Sequence, residues 1–113
     1  MGRKMIFEIS HQKDYVVFIL KGNLIESPNA TEFYNTLKNL IGENRIKIII
    51  DLRNISYVNS TGLSIIFQGN RMVNKAGGEF KLTGLNTKMK NLLNITRLDS
   101  IFDIYDSIEE ALQ

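Results

Sequence analysis

The chain has 113 residues, 43% of them hydrophobic, with 14 Lys or Arg against 12 Asp or Glu for a net charge of +2, and no cysteine or tryptophan. That length carries one domain, 1–113, with a core able to stand without staples. The missing cysteines exclude a disulfide framework, a thiolate metal site and a cysteine nucleophile. A single histidine, His11, leaves little for metal ligation, and cations and anions alternate along the chain without the basic stripe that nucleic acid demands.

Residues 5–11 and 14–21 are β-branched and aromatic runs separated by Gln12-Lys13, the pattern of a hairpin. Ser27-Pro28 reads as a cap and first turn for a helix whose Phe33, Leu37, Leu40 and Ile41 recur at helical spacing until Gly42. Residues 46–52 hold three consecutive isoleucines and predict a strand covered on both faces. A helix over 61–75, with Leu63, Ile66, Phe67 and Val73 on one stripe, ends at Ala76-Gly77-Gly78. A half-buried strand follows at 79–84, then a helix at 87–97 with Met89, Leu92 and Leu93 inward. Met72 and Met89 read as core filler. A short strand at 101–105 precedes Ser107, which caps a terminal helix with Glu110 three residues on. The order β-β-α-β-α-β-α-β-α predicts an α/β fold with a mixed sheet, parallel at its centre, and helices packed mainly on one face. The longest apolar runs are far below the roughly 18 residues of a spanning helix, and no apolar leader follows the basic Met1–Met5. A cytoplasmic chain without membrane insertion is expected, so the Asn-x-Ser/Thr matches at Asn29, Asn54, Asn59 and Asn94 carry no glycosylation meaning.

The informative stretch is Asp51-Leu52-Arg53-Asn54-Ile55-Ser56-Tyr57-Val58-Asn59-Ser60-Thr61-Gly62-Leu63. A buried strand crosses a short turn and delivers Asn59, Ser60 and Thr61, all good N-cap residues, to the start of an amphipathic helix. Gly62 leaves the backbone there uncovered for a partner or phosphate. A phosphoryl group on Ser60 would meet the positive end of the helix dipole and be tolerated in the isolated domain. By physics alone a polar triplet before a helix is simply a cap, and nothing in the spacing makes Ser60 reactive. Gly77-Gly78 lacks the rest of a phosphate-binding loop. Asp51 has no second acid or base identifiable near it and reads as a turn former. Tyr57, Phe67 and Phe102 are candidate partner anchors, although aromatics in such positions are usually buried. No catalytic set, metal site or cofactor is expected.

Asp-Leu-x-x-Ile-x-Tyr-Val-Asn-Ser-Thr-Gly-Leu, with the isoleucine strand before it, resembles the signature of the STAS domain. The resemblance extends to Lys21-Gly22-Asn23-Leu24, to Lys75-Ala76-Gly77-Gly78-Glu79-Phe80 and to Leu98-Asp99-Ser100-Ile101-Phe102-Asp103-Ile104. It implies a bacterial anti-sigma factor antagonist that works by partner switching. An anti-sigma factor with ATP-dependent serine kinase activity would be its partner and would phosphorylate Ser60. The phosphate would block docking, and a phosphatase would restore it. The implied partner-binding residues are Asn23, Asn59, Ser60, Thr61, Gly62 and Ser64.

Two positions depart from the family pattern. Asn59 stands where the family usually has Asp, and Ile25-Glu26 stands where an acidic residue usually follows Gly-x-Leu directly. Either the partner has adapted to Asn59, or this chain is a poor kinase substrate that acts as a constitutive binder or scaffold. The alternative function is a non-switching scaffold subunit of a stress-signalling or lipid-transport assembly. A small enzyme using Ser60 is a third and weaker reading. Monomer or weak dimer is the expected state.

Overall fold

The computed structural model describes residues 5–24 and 29–113. The Ser27-Pro28 helix start, the Ile25-Glu26 departure and residues 1–4 lie outside the described residues. Elements run β1 (Ile6–Gln12), β2 (Tyr15–Leu24), α1 (Asn29–Gly42), β3 (Lys47–Val58), α2 (Ser60–Lys75), β4 (Glu79–Thr83), α3 (Thr87–Ile95), β5 (Asp103–Tyr105) and α4 (Ile108–Ala111), with a 3-10 turn at Leu98–Ser100.

The five strands lie in sequence order, β1-β2-β3-β4-β5. The β1–β2 hairpin is antiparallel and every later pair is parallel. Each parallel step moves in the same direction, so right-handed crossovers place α1, α2 and α3 on one face. Phe33 and Leu37 from α1, Leu63, Ile66 and Val73 from α2, and Met89 and Leu93 from α3 pack there on Phe18, Ile48 and Ile50. Ile49 points the other way and joins Tyr15, Val17 and Ala111 beneath α4. The isoleucine run is therefore covered on both faces, as its composition predicts.

Several boundaries differ from the sequence reading. The helix predicted to stop at Gly42 includes it, and Asn44 takes the left-handed conformation at φ 60°. Gly77 does end α2 with φ 84°. The predicted strand over 101–105 shrinks to three residues, because Leu98–Ser100 winds into a 3-10 turn and Phe102 is drawn into the core. The segment after Asp51, expected as a turn, instead continues β3 to Val58. It pairs with Lys21–Leu24 of β2 through two register shifts. β4 pairs with β3 only as far as Thr83 opposite Asp51, so Arg53, Asn54, Ser56 and Tyr57 are exposed and look like turn residues.

Lys81 is the unexpected polar group of the second face. It is 5% exposed, donates to the Tyr15 hydroxyl at 2.8 Å and to the Ala111 carbonyl at 2.7 Å, and lies over the Tyr15 and Tyr105 rings. Burial lowers its pKa, but the bond to Tyr15 and the fields of Tyr15, Tyr105 and Glu79 outweigh that and leave it raised. The stabilisation is fully present below the ordinary lysine pKa and is lost as pH rises through the raised value. Lys81→Met is expected to detach α4 selectively, raising amide exchange in residues 108–112 while α1 and α2 stay protected. Unchanged exchange across α4 contradicts this.

Candidate functional site

The end of the sheet where β2 and β3 finish together positions the site. Asn23 is the Cα partner of Tyr57 and Leu24 of Val58, and the Asn59 N–H donates to the Leu24 carbonyl at 3.3 Å. That bond fixes where the chain turns from β3 into α2. Of the three candidate caps the fold selects Asn59: its backbone is extended, and its side-chain oxygen accepts from the Gly62 N–H at 2.7 Å. Leu63 N–H closes the first helical bond onto the Asn59 carbonyl at 2.8 Å.

Ser60 is thereby the first residue of α2, and both it and Thr61 are exposed. Their N–H groups have no acceptor within the helix and carry the positive end of its dipole. Ser64, one turn on, is exposed and donates its hydroxyl to the Thr61 carbonyl. Gly62 is buried, so it does not leave the backbone uncovered as the sequence reading expected. It sits under the first turn, and the accessible surface is that of Ser60, Thr61 and Ser64. Asn23 is half-buried on the adjacent strand end. All six implied binding residues thus gather at one end of the sheet.

Asn59→Ala is expected to cost about 1 kcal/mol of stability by urea unfolding, whereas Asn59→Asp keeps the cap and gains from the helix dipole. Equal stabilities of the alanine variant and the parent contradict the capping role.

His11 is at the opposite end. It pairs with Val16 at the start of β2, and its Nδ1 lies 2.9 Å from an Arg45 guanidinium nitrogen. It forms no pair with Ser60, so the arrangement gives the serine no general base from histidine. Asp51 is buried and accepts from Arg53 N–H at 3.1 Å and from the Thr83 hydroxyl at 3.4 Å. It is therefore not the turn former the sequence suggests: it lies inside β3, and its carboxylate braces the strand where β4 leaves it. No group of three or more His, Cys, Asp or Glu able to hold a metal occurs among the described residues. Among them, no helix is long and apolar enough to cross a membrane.

The candidate anchors separate. Phe102 is in the core, Phe67 is half-buried, and Tyr57 is 57% exposed. Beside Ser60 a hollow of about 190 Å³ is lined by Leu63, Ser64, Phe67, Thr96 and Leu98. A second, of about 340 Å³, lies between the end of β3 and α3 and includes Tyr57, Val58, Lys88, Leu92 and Ile95. Ile95 is 78% exposed, although in the sequence it sits at the end of an apolar run with Leu92 and Leu93. Helical phase puts it with Lys88 and Asn91 on the exposed side of α3, opposite the buried Met89 and Leu93.

Residues 7–111 match the STAS domain family. The chain is 36% identical over 73 residues to the anti-sigma-B factor antagonist of Bacillus subtilis, covering 65% of this chain and 67% of that protein. It is 29% identical over 101 residues, 88% of this chain and 89% of the relative, to a Thermotoga maritima protein provisionally named an anti-sigma factor antagonist. A crystal structure of a Thermotoga maritima protein with the same provisional name superposes with a TM-score of 0.78 at 30% identity, covering 94% of this chain and 91% of that one. The Bacillus determinant SpoIIAA in its phosphorylated form shares the fold, with a TM-score of 0.73 at 17% identity over 95% of this chain and 96% of that one. The match over almost the whole chain, with the Asn59-Ser60 turn at the sheet end, makes this protein a member of the STAS domain family.

Proposed function

We propose that this chain is an anti-sigma factor antagonist whose docking is switched off by phosphorylation of Ser60. The observation that carries the reading is the placement of Ser60: exposed, first in α2, and raised at the sheet end by the Asn59 cap and the bond from Asn59 to Leu24. The names of its relatives support the same role. The partner is an anti-sigma factor with ATP-dependent serine kinase activity, and a phosphatase resets the switch. Asn23, Thr61 and Ser64 belong to the docking surface, and Gly62 shapes it from beneath.

The chemistry follows from charge. A phosphoserine brings about 1.5 to 2 negative charges. In the free chain the helix N-terminus and water stabilise them; beneath a docked partner the water is removed and the dianion becomes repulsive. The protein binds and is modified; the reaction belongs to the kinase. Asn59 keeps the cap without the carboxylate usual in the family, so the kinase reads shape rather than charge at this position.

The purified chain, incubated with the source organism's anti-sigma factor and ATP, is expected to yield one phosphopeptide containing Ser60, absent from Ser60→Ala. Phosphate persisting in Ser60→Ala, or none on the parent chain, contradicts the reading.

A further inference from the structure

We infer that the anti-sigma factor docks across the whole face between α2 and α3, and that its matching surface is apolar at the centre and acidic at the rim. This deepens the function proposed above and rests on it. The first observation is the pair of hollows flanking the start of α2. One opens between Ser60, Phe67 and Leu98, and the other between Tyr57, Leu92 and Ile95. Tyr57 and Ile95 are also the two most exposed large apolar side chains among the described residues. Both line the larger hollow, with the apolar floor of the smaller one alongside, the anatomy of an interface centre.

The second observation is charge, and it corrects the sequence reading of alternating signs. Between Arg53 and Arg97 the exposed cations are Arg53, Arg71, Lys75, Lys88, Lys90 and Arg97. The one acid in that span, Glu79, is turned to the second face, where it accepts from Tyr15 and stands beside Lys81. Asp99, Asp103, Asp106, Glu109 and Glu110 are all exposed and all lie beyond Leu98, leading into α4 on the other face. The signs divide at Asp99 along the chain, and the fold carries the acids after it toward α4. On α1 and just past its end, beside α2, Glu32, Lys38 and Glu43 are mixed and exposed. Lys88 lines the larger hollow, and Arg97 sits between Thr96 and Leu98 of the smaller one.

A second copy of the chain meeting this face symmetrically would set cations against cations. An acidic partner is attracted to it and gains association rate. An acidic partner rim also gives the direction of the switch, because the partner's acids meet the phosphate on docking.

The test measures association and dissociation rates between the purified chain and the source organism's purified anti-sigma factor at rising salt. For the parent chain, association is expected to fall about tenfold from low to high ionic strength. Lys88→Glu and Arg97→Glu each slow association severalfold and flatten the salt dependence. Ile95→Ser and Tyr57→Ser leave association nearly unchanged and speed dissociation about tenfold. These side chains are exposed, so thermal unfolding of each variant stays that of the parent. Association that ignores or rises with salt overturns the proposal, as does parent-like dissociation of both apolar variants. Ser60→Glu keeps the two readings apart. If it binds like the parent while the surface variants are impaired, the switch fails and the docking face stands. If it alone loses binding, the switch stands and the docking face fails.

Discussion

Gly84→Ala is expected to destabilise the fold by about 2–4 kcal/mol, lowering the midpoint of thermal unfolding by roughly 10–20 °C. Two independent costs converge at this residue. Its φ of 74° lies in the left-handed region, which for a residue with a Cβ costs about 1 kcal/mol or more. The added methyl would also stand 2.7 Å from a carboxylate oxygen of Asp51 and 2.8 Å from the Arg53 nitrogen. Those are the partners of the hydrogen bond that braces β3 where β4 ends. The neighbours are backbone and a buried carboxylate, so neither moves aside cheaply. The strain falls on the strand that carries Tyr57, Asn59 and Ser60, and partner affinity should weaken along with stability. Circular dichroism melting is the check, and a midpoint within about 2 °C of the parent contradicts the account.

Phe33→Ala is expected to cost more, about 3–5 kcal/mol of a total that for such domains is about 5–15 kcal/mol. Phe33 has no exposed surface. Its ring meets Phe18 edge-on at 5.4 Å and Phe7 at 5.9 Å, so α1, β1 and β2 share one aromatic contact. It also bounds the crossing of α1 over α2: a Cβ on Gly69 would lie 3.3 Å from the Phe33 ring and 3.2 Å from Leu37. Removing the ring leaves a cavity between α1 and the sheet and loosens the support on which α2 rests. Phe33→Leu should recover more than half of the loss in urea unfolding, since it refills most of the volume. A loss below about 1 kcal/mol for Phe33→Ala would show that the site collapses around the gap.

The parts of this molecule governed by local chemistry were legible in the sequence. The isoleucines at 48–50, the Ser107 cap, which accepts from the Glu110 N–H at 3.2 Å, and Gly77 at the end of α2 each follow from a short-range rule. The placement of Ser60 at a helix start followed from the cluster of capping residues, and the family resemblance gave that start its meaning. What stayed hidden depends on neighbours distant in sequence. Whether Arg53–Val58 is a turn or a strand depends on the end of β2 continuing beside it while β4 stops at Thr83. The burial of Lys81 depends on Tyr15 and Ala111, contributed by the first hairpin and the last helix. The face to which the acids after Leu98 are carried depends on where α4 packs, against Tyr15, Val17 and Ile49.

The most direct test of the switch is the dissociation constant of the anti-sigma factor for two forms of this chain, one unmodified and one carrying phosphoserine at position 60. Tight binding of the unmodified form is expected, with a loss of about a hundredfold or more on phosphorylation and circular dichroism unchanged between the two. Equal affinity for both forms would contradict the switch and leave Ser60 as the first residue of a capped helix.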